Sequence, residues 1–367
     1  MNTFFSRSLL SLCCALPLTA LGASEDDLIA QARAIHERVL TLDTHVDIPL
    51  NFATSEFMPA DAEAQVNLNT MQSGGLDGAF FSVYVGQGAR DTEGNLHAKA
   101  DALAKFDAIH RMTDSLYSDR IGLATTAAEA RALHAEGKLV ALIGMENAYV
   151  IGQDLSLLAD YRARGARYLT LVHNGHNDVG DSAQPQARFN DADEEHQGLS
   201  AFGYQVVDEL NRLGILVDVS HVSKATMLAA TAHSKAPVLA SHSSARALFD
   251  HPRNMDDEQL LALKANGGVV QIVAFNAYLR PAGETATVQD LVNHIDHVVQ
   301  LIGIDHVGIS SDFGGGGGIS GWNGAAETFN LTLELVRRGY SEADIAKIWS
   351  GNVLRILEQA ERVAEGG

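Results

Sequence analysis

Only two cysteines occur in the 367 residues, and they are adjacent, Cys13 and Cys14. The chain beyond them has no thiol, so no disulfide can brace it and any metal site there must use histidine and carboxylate ligands. Cationic residues are also scarce: 26 Lys and Arg face 46 Asp and Glu, a formal net charge of −20. So acidic a surface excludes nucleic acid and anionic membrane as partners and favours solubility. Long apolar runs are missing too. The one concentrated stretch, LLSLCCALPLTALG at residues 9–22, falls short of the about 20 residues that a membrane span needs.

That stretch follows Arg7, and Ala20 and Gly22 put small residues where a processing enzyme reads them, the pattern of a secretory signal peptide over residues 1–22. A buried first helix and a membrane anchor are the other readings. Against the first, Ser24-Glu25-Asp26-Asp27 already starts a helix of its own, with Leu28, Ala32, Ile35 and Val39 on one stripe. Against the second stand the short stretch and the lack of a lipidation cysteine pattern. Residues 23–367 are therefore expected to form one exported domain, with the bacterial periplasm as its endpoint and the extracellular medium as the alternative. The first helix should close the floor or flank of that domain.

Against this background one pattern repeats. Eight short apolar runs end in polar or charged residues: VLTLDTHVD, DGAFFSVYV, LVALIGMEN, RYLTLVHNG, GILVDVSHV, PVLASHSS, GVVQIVAF and HVGISSDF. Near-continuous Val, Ile, Leu and Ala suits parallel strands covered on both faces, and the segments between are long enough for crossover helices. Helices are expected at 96–116, 126–136, 154–164, 200–213, 223–232, 256–265, 287–302 and 323–338, with a closing helix pair from Ser341 to Ala364. Eight such units make an α/β fold, a single (β/α)8 TIM-type barrel with extra N- and C-terminal helices. Residues 174–198 and 313–325, the latter carrying the run Gly314 to Gly318, should be loops at the mouth, either lids or plain connectors.

In such a barrel the carboxyl ends of the strands converge on one mouth. His45, Asp47, Glu146, His173, His221, His242 and Asp312 should therefore meet, although they span most of the chain. His45 and Asp47 lie two apart on a strand, so both side chains leave one face. Glu146 has two oxygens and can bridge two cations. One metal would take His45, Asp47 and Glu146, and the other Glu146, His221 and His242. Ligands of this kind without thiolate suit two Zn²⁺, although Mn²⁺, Co²⁺ or Fe²⁺ also fit. Asp312 would transfer protons, His173 would hydrogen-bond a developing oxyanion, and Arg253 would clamp a substrate carboxylate. Taken singly, Asp312 also suits a loop cap and Arg253 a surface position. His97, His134 and His196 sit in polar or helical surroundings and read as ordinary surface or core residues.

The strings LDTHVDIP, IGMEN, RYLTLVHN, GILVDVSHVS, APVLASHSSA, RNMDDEQL, VGISSDFGG and WSGNVLRILE, in this order, resemble the membrane dipeptidase (renal dipeptidase) family of the amidohydrolase superfamily. The resemblance covers nearly everything after the leader. It implies a binuclear zinc barrel that hydrolyses free dipeptides, with tolerance for a D-residue at the carboxyl-terminal position and for some β-lactams. It implies metal ligands at His45, Asp47, Glu146, His221 and His242, a proton-transfer role for Asp312, carbonyl polarisation by His173 and carboxylate binding by Arg253. A homodimer is implied as well. Three departures touch no ligand: Asn147 follows Glu146 where the family often has Gly, the family's DFDG stands here as Asp312-Phe313-Gly314-Gly315, and Phe275 stands where an aromatic hydroxyl is expected near the end of the seventh strand. The closing QAERVAEGG lacks the hydrophobic tail of a glycolipid-anchor signal, so no stable membrane anchor is expected. Two other functions remain open on the residues: a related amide, lactone or β-lactam hydrolase, and a non-catalytic metal-dependent peptide-binding protein.

Overall fold

Each of the eight apolar runs forms a strand in the computed structural model, which describes residues 24–366. The leader and its cleavage site lie outside the described residues. The strands are β1 (Leu42–Asp47), β2 (Gly78–Tyr84), β3 (Leu139–Glu146), β4 (Ala166–Thr170), β5 (Leu216–Asp218), β6 (Leu239–Ala245), β7 (Val269–Val273) and β8 (Val307–Ser310). They pair in chain order, each parallel to the next. The ring closes just past the end of β8, where the Asp312 N–H donates to the His45 carbonyl (3.1 Å) and the Asp47 N–H to the Phe313 carbonyl (2.8 Å). All of β3 and β4 is buried, as parallel strands require when helices cover their outer face and the barrel interior their inner one.

Two apolar clusters fill the molecule. One joins the barrel to its outer helices. The other combines Leu42, Phe80, Val140, Leu142, Leu216, Leu239 and Val269, from the strands, with Val353, Leu354, Ile356 and Leu357 of the last helix (Asn352–Glu365). Most of these strand residues lie near the amino ends, so the last helix seals the floor opposite the mouth. The first helix (Glu25–His36) lies on the flank against Phe329–Arg337, where His36 Nδ1 meets Thr332 Oγ1 at 2.8 Å.

The crossover helices start where side chains satisfy their free N–H groups. Asp91, Thr126, Ser200, Ser223, Asp256 and Thr287 each accept a backbone N–H of the first turn. Each such cap is worth about 1 kcal/mol. The expected span 323–338 divides into a single 3₁₀ turn (Ala325–Glu327) and the helix Phe329–Arg337. The closing pair is Glu342–Ala346 and Asn352–Glu365, joined by a π turn. Short elements without a periodic signal were not foreseen: the helix Leu68–Gly74, the strand Ile121–Leu123 beside β3, and Asn254–Met255 beside β6. Among the described residues no helix is long and apolar enough to cross a membrane.

The two long loops are tied down rather than loose. Within 174–198, buried Asp181 accepts the N–H groups of Glu195, His196 and Gly198 at 2.9–3.0 Å. In the glycine run, Gln65 accepts the Gly314 N–H (3.0 Å) and donates to the Gly317 carbonyl (2.9 Å). Glycine is needed there for space: a Cβ on Gly315 would lie 2.2 Å from Asp47 Oδ2 and 2.5 Å from Asp312 Oδ1.

Candidate metal centre

The carboxyl ends of β1, β3, β5 and β6 bring five side chains together. His45 Nε2 lies 3.7 Å from Asp47 Oδ2 and 3.3 Å from Glu146 Oε2. The other oxygen of Glu146 faces the opposite pair, with Oε1 at 3.1 Å from His221 Nε2 and 3.4 Å from His242 Nε2. His221 and His242 present their Nε2 atoms to each other at 2.8 Å. Neither histidine ends its strand as expected. His221 lies three residues beyond β5 in the left-handed region (φ 68°), and His242 sits within β6, which runs on to pair with Asn254–Met255.

Each ring is held by its other nitrogen. His45 Nδ1 meets the Tyr168 hydroxyl (2.8 Å), His221 Nδ1 meets Asn174 Oδ1 (3.1 Å), and His242 Nδ1 meets Ser241 Oγ (2.8 Å). Ser241 Oγ in turn donates to buried Asp218 at 2.6 Å. Such partners fix the tautomer and ring orientation of a metal-binding histidine, leaving Nε2 for the ion. Among the described residues, buried His45 Nε2 and Asp47 Oδ1 have no hydrogen-bond partner. The donor atoms of His45, Asp47 and Glu146 lie within 4.8 Å of one another, as do those of Glu146, His221 and His242. Orphaned lone pairs converging at these distances fit divalent cations.

The electrostatics agree. Burial pushes the Glu146 carboxyl up, but the surrounding imidazoles of His45, His173, His221 and His242 prevail and hold it well below the usual range. Burial holds His221 and His242 well below the usual imidazole range, with Arg253 and neighbouring imidazoles adding to it, so both rings are neutral. A neutral imidazole is the form that binds metal. At His45 burial works downward, yet Tyr168, Glu146 and Asp47 outweigh it, so this position favours positive charge.

Around the cluster opens a cleft of about 540 Å³ lined by apolar Ile48, Phe52, Phe57 and Phe81 and by polar Tyr84, Lys105, His173 and Asp312. His173 lies 3.6 Å from Glu146 Oε1, its ring 4.1 Å from that of His221. Asp312 has φ 58°, and its Oδ1 lies 3.9 Å from His45 Nε2. Burial drives its carboxyl well above the usual range, with Asp47 and Glu146 adding to the shift against His45 and Arg253. Arg253 is buried, not a surface residue. Its Nη2 donates to the His242 carbonyl (3.1 Å), while its Nε has no partner among the described residues.

His97, His134 and His196 lie apart from this cluster, paired with Asp101, Asp77 and the Asn177 carbonyl respectively. Several neighbours of the site carry no sequence signal of their own, among them Tyr168 and Asn174, which hold the His45 and His221 rings. Tyr278, on the short helix Asn276–Leu279, brings a phenol to the cleft one turn beyond Phe275, which stacks on it at 4.4 Å. Asp218 and Ser241 were legible only as polar residues inside apolar runs. Lys105 was legible as a cation on the buried stripe Ala98, Ala102 and Ile109 of its helix.

A closed parallel barrel with carboxylates and imidazoles gathered at the carboxyl ends of its strands defines a barrel hydrolase of the metal-dependent kind. The chain belongs to the membrane dipeptidase family, peptidase family M19, whose model matches residues 29–366. It is 33% identical over 365 residues to the dipeptidase verJ of Clonostachys rogersoniana, covering 95% of this chain and 91% of that protein. The probable dipeptidase PvdM of Pseudomonas aeruginosa superposes with a TM-score of 0.89 at 34% identity, covering 92% of this chain and all of that one (100%). A metallopeptidase of Rhodobacter sphaeroides, solved with a phosphinate mimic of the dipeptide L-Ala-D-Ala, superposes with a TM-score of 0.75 at 26% identity, covering 88% of this chain and 99% of that one.

Proposed function

We propose that this chain is an exported binuclear zinc dipeptidase that hydrolyses the peptide bond of free dipeptides, including those with a carboxyl-terminal D-residue. The observation that carries the reading is the division of Glu146, whose Oε2 faces His45 and whose Oε1 faces His221 and His242. His45, Asp47 and Glu146 would hold one cation, and Glu146, His221 and His242 the other. Cations held there acidify water towards neutral pH and polarise a carbonyl.

The protein's own groups do the rest. Asp312 takes the proton released as water adds to the carbonyl carbon and returns it to the leaving nitrogen as the C–N bond breaks. His173 donates to the carbonyl oxygen as negative charge develops there. Arg253, whose guanidinium lies 5.3 Å from the ring of the cleft residue Tyr278, pairs with the substrate's free carboxylate, which confines the enzyme to peptides ending at the residue after the scissile bond. The Rhodobacter complex with an L-Ala-D-Ala mimic supports the substrate class and the D-residue. The leader-like residues 1–22 support export.

The test is a library of L-L and L-D dipeptides with tripeptides and blocked dipeptides, incubated with the zinc-loaded protein and followed by mass spectrometry. Cleavage confined to free dipeptides and abolished by chelator supports the proposal. Cleavage of lactones or N-acyl amino acids alone would transfer the site to another electrophile, and dipeptide binding without turnover would make it a binding protein.

A further inference from the structure

Lys105 is an unusual lysine. It lies on the helix Thr92–His110, on a stripe otherwise formed by Ala98, Ala102 and Ile109, and is 6% exposed. Lysines are almost never so buried unless paired. Among the described residues, however, its Nζ makes no hydrogen bond and no ion pair within 4.0 Å. The side chain lines the cleft, with Nζ 5.5 Å from the centre of the Tyr84 ring. The stem is buried while Nζ opens to the cleft without a protein partner, so its anion is sought in what enters there.

The carboxylates that act on it, Asp47 and Glu146 across the cleft and Asp101 one turn earlier on its helix, all lie beyond 4.0 Å. On the proposed reading Asp47 and Glu146 are committed to cations, and a second source of positive charge beside them only sharpens the need for an incoming anion. The barrel geometry says which part of a dipeptide that is. Tyr84 ends β2, and Arg253 follows β6. In a ring of eight strands paired in order, β2 and β6 are diametrically opposed. Arg253 sits on its own side, with its guanidinium 5.3 Å from the Tyr278 ring. A dipeptide whose carboxylate lies at Arg253 and whose scissile carbonyl lies over Glu146 therefore directs its amino-terminal residue at Lys105.

We propose that Lys105 is a specificity-determining residue that selects dipeptides whose amino-terminal residue carries a carboxylate side chain, glutamate or aspartate. The Phe52, Phe57 and Phe81 side chains that line the same cleft would cover the methylene stem of that residue. This inference rests on the dipeptidase reading.

The test compares kcat/KM for Glu-Ala with that for the isosteric Gln-Ala on the zinc-loaded full chain, then repeats it for Lys105→Met. A charge-assisted hydrogen bond predicts a preference for Glu-Ala of about tenfold or more, falling to near unity in the variant. Lys105→Met keeps the length of the stem and removes a buried charge, so its thermal midpoint should match or exceed the parent's. Lys105→Glu should move the preference to Lys-Ala. Gln-Ala cleaved as well as Glu-Ala by the parent, or a preference that survives in Lys105→Met, overturns the role of Lys105 and leaves the dipeptidase reading intact. Failure to cleave any dipeptide overturns both.

Discussion

His221 Nε2 lies 2.8 Å from His242 Nε2, while the far nitrogen of each ring is committed to Asn174 or Ser241. Two neutral imidazoles pointing lone pairs at one spot repel unless something positive lies between them. Divalent cations should therefore stabilise the folded protein strongly. A cation that binds only the native state at 100-fold excess over its Kd adds about 2.7 kcal/mol. Chelation should lower the thermal midpoint and zinc should restore it, as read by calorimetry; a midpoint indifferent to both would remove the metal centre from the account.

The Asp218–Ser241–His242 chain makes a second prediction. Ser241 Oγ bridges the carboxylate and the ring, so Ser241→Ala frees His242 Nδ1 to rotate and leaves Asp218 short of a donor. Losses in metal affinity or activity of about 10- to 100-fold are expected for such supporting groups. Zinc titration against a competing chelator measures the first and steady-state kinetics the second.

Asp312→Asn addresses the proposed proton transfer. The amide keeps the shape of the side chain and cannot take the proton, so kcat should fall by about 10²- to 10⁴-fold while both metals stay bound. Retention of turnover with two metals present would assign the proton to another group.

Much of this was legible in the residues because parallel strands buried on both faces leave an unmistakable trace. Runs such as LVALIGME and RYLTLVH became β3, with Glu146 at its end, and β4, which stops at Thr170 and leaves His173 three residues beyond it. What escaped depends on contacts distant in sequence. Nothing local marks Tyr278 as a cleft residue, since a four-residue helix after β7 carries it there. The choice between floor and flank for the first helix was settled by the last helix, whose Leu354 and Leu357 occupy the floor. The left-handed backbone at His221 and Asp312 was equally hidden. Neither residue type favours that conformation as glycine does, and holding it costs about 1–3 kcal/mol that surrounding structure must offset.

A pH effect away from the metal centre is also expected. His294 is buried, its Nδ1 accepts the Ala245 N–H at 3.1 Å, and burial pushes its ring down to about 4 from 6.5, with His297 adding to the shift. The unfolded ring takes a proton near pH 6.5 and the folded ring only near 4, so the unfolded state binds more protons in that window. Stability should fall as pH drops from 6.5 to about 4, by roughly 3 kcal/mol from this residue, and level off below. Denaturant titrations across that range should show a shallower decline for His294→Asn, which keeps an acceptor and does not titrate.

The most direct test is to measure bound metal and dipeptide turnover on one preparation of the parent protein and of Glu146→Gln. Two zinc ions per parent chain with hydrolysis of free dipeptides, and the loss of both metal occupancy and turnover in Glu146→Gln, is the result predicted by a carboxylate shared between two ions. A variant that still binds two zinc ions and turns over dipeptides at the parent rate would contradict it.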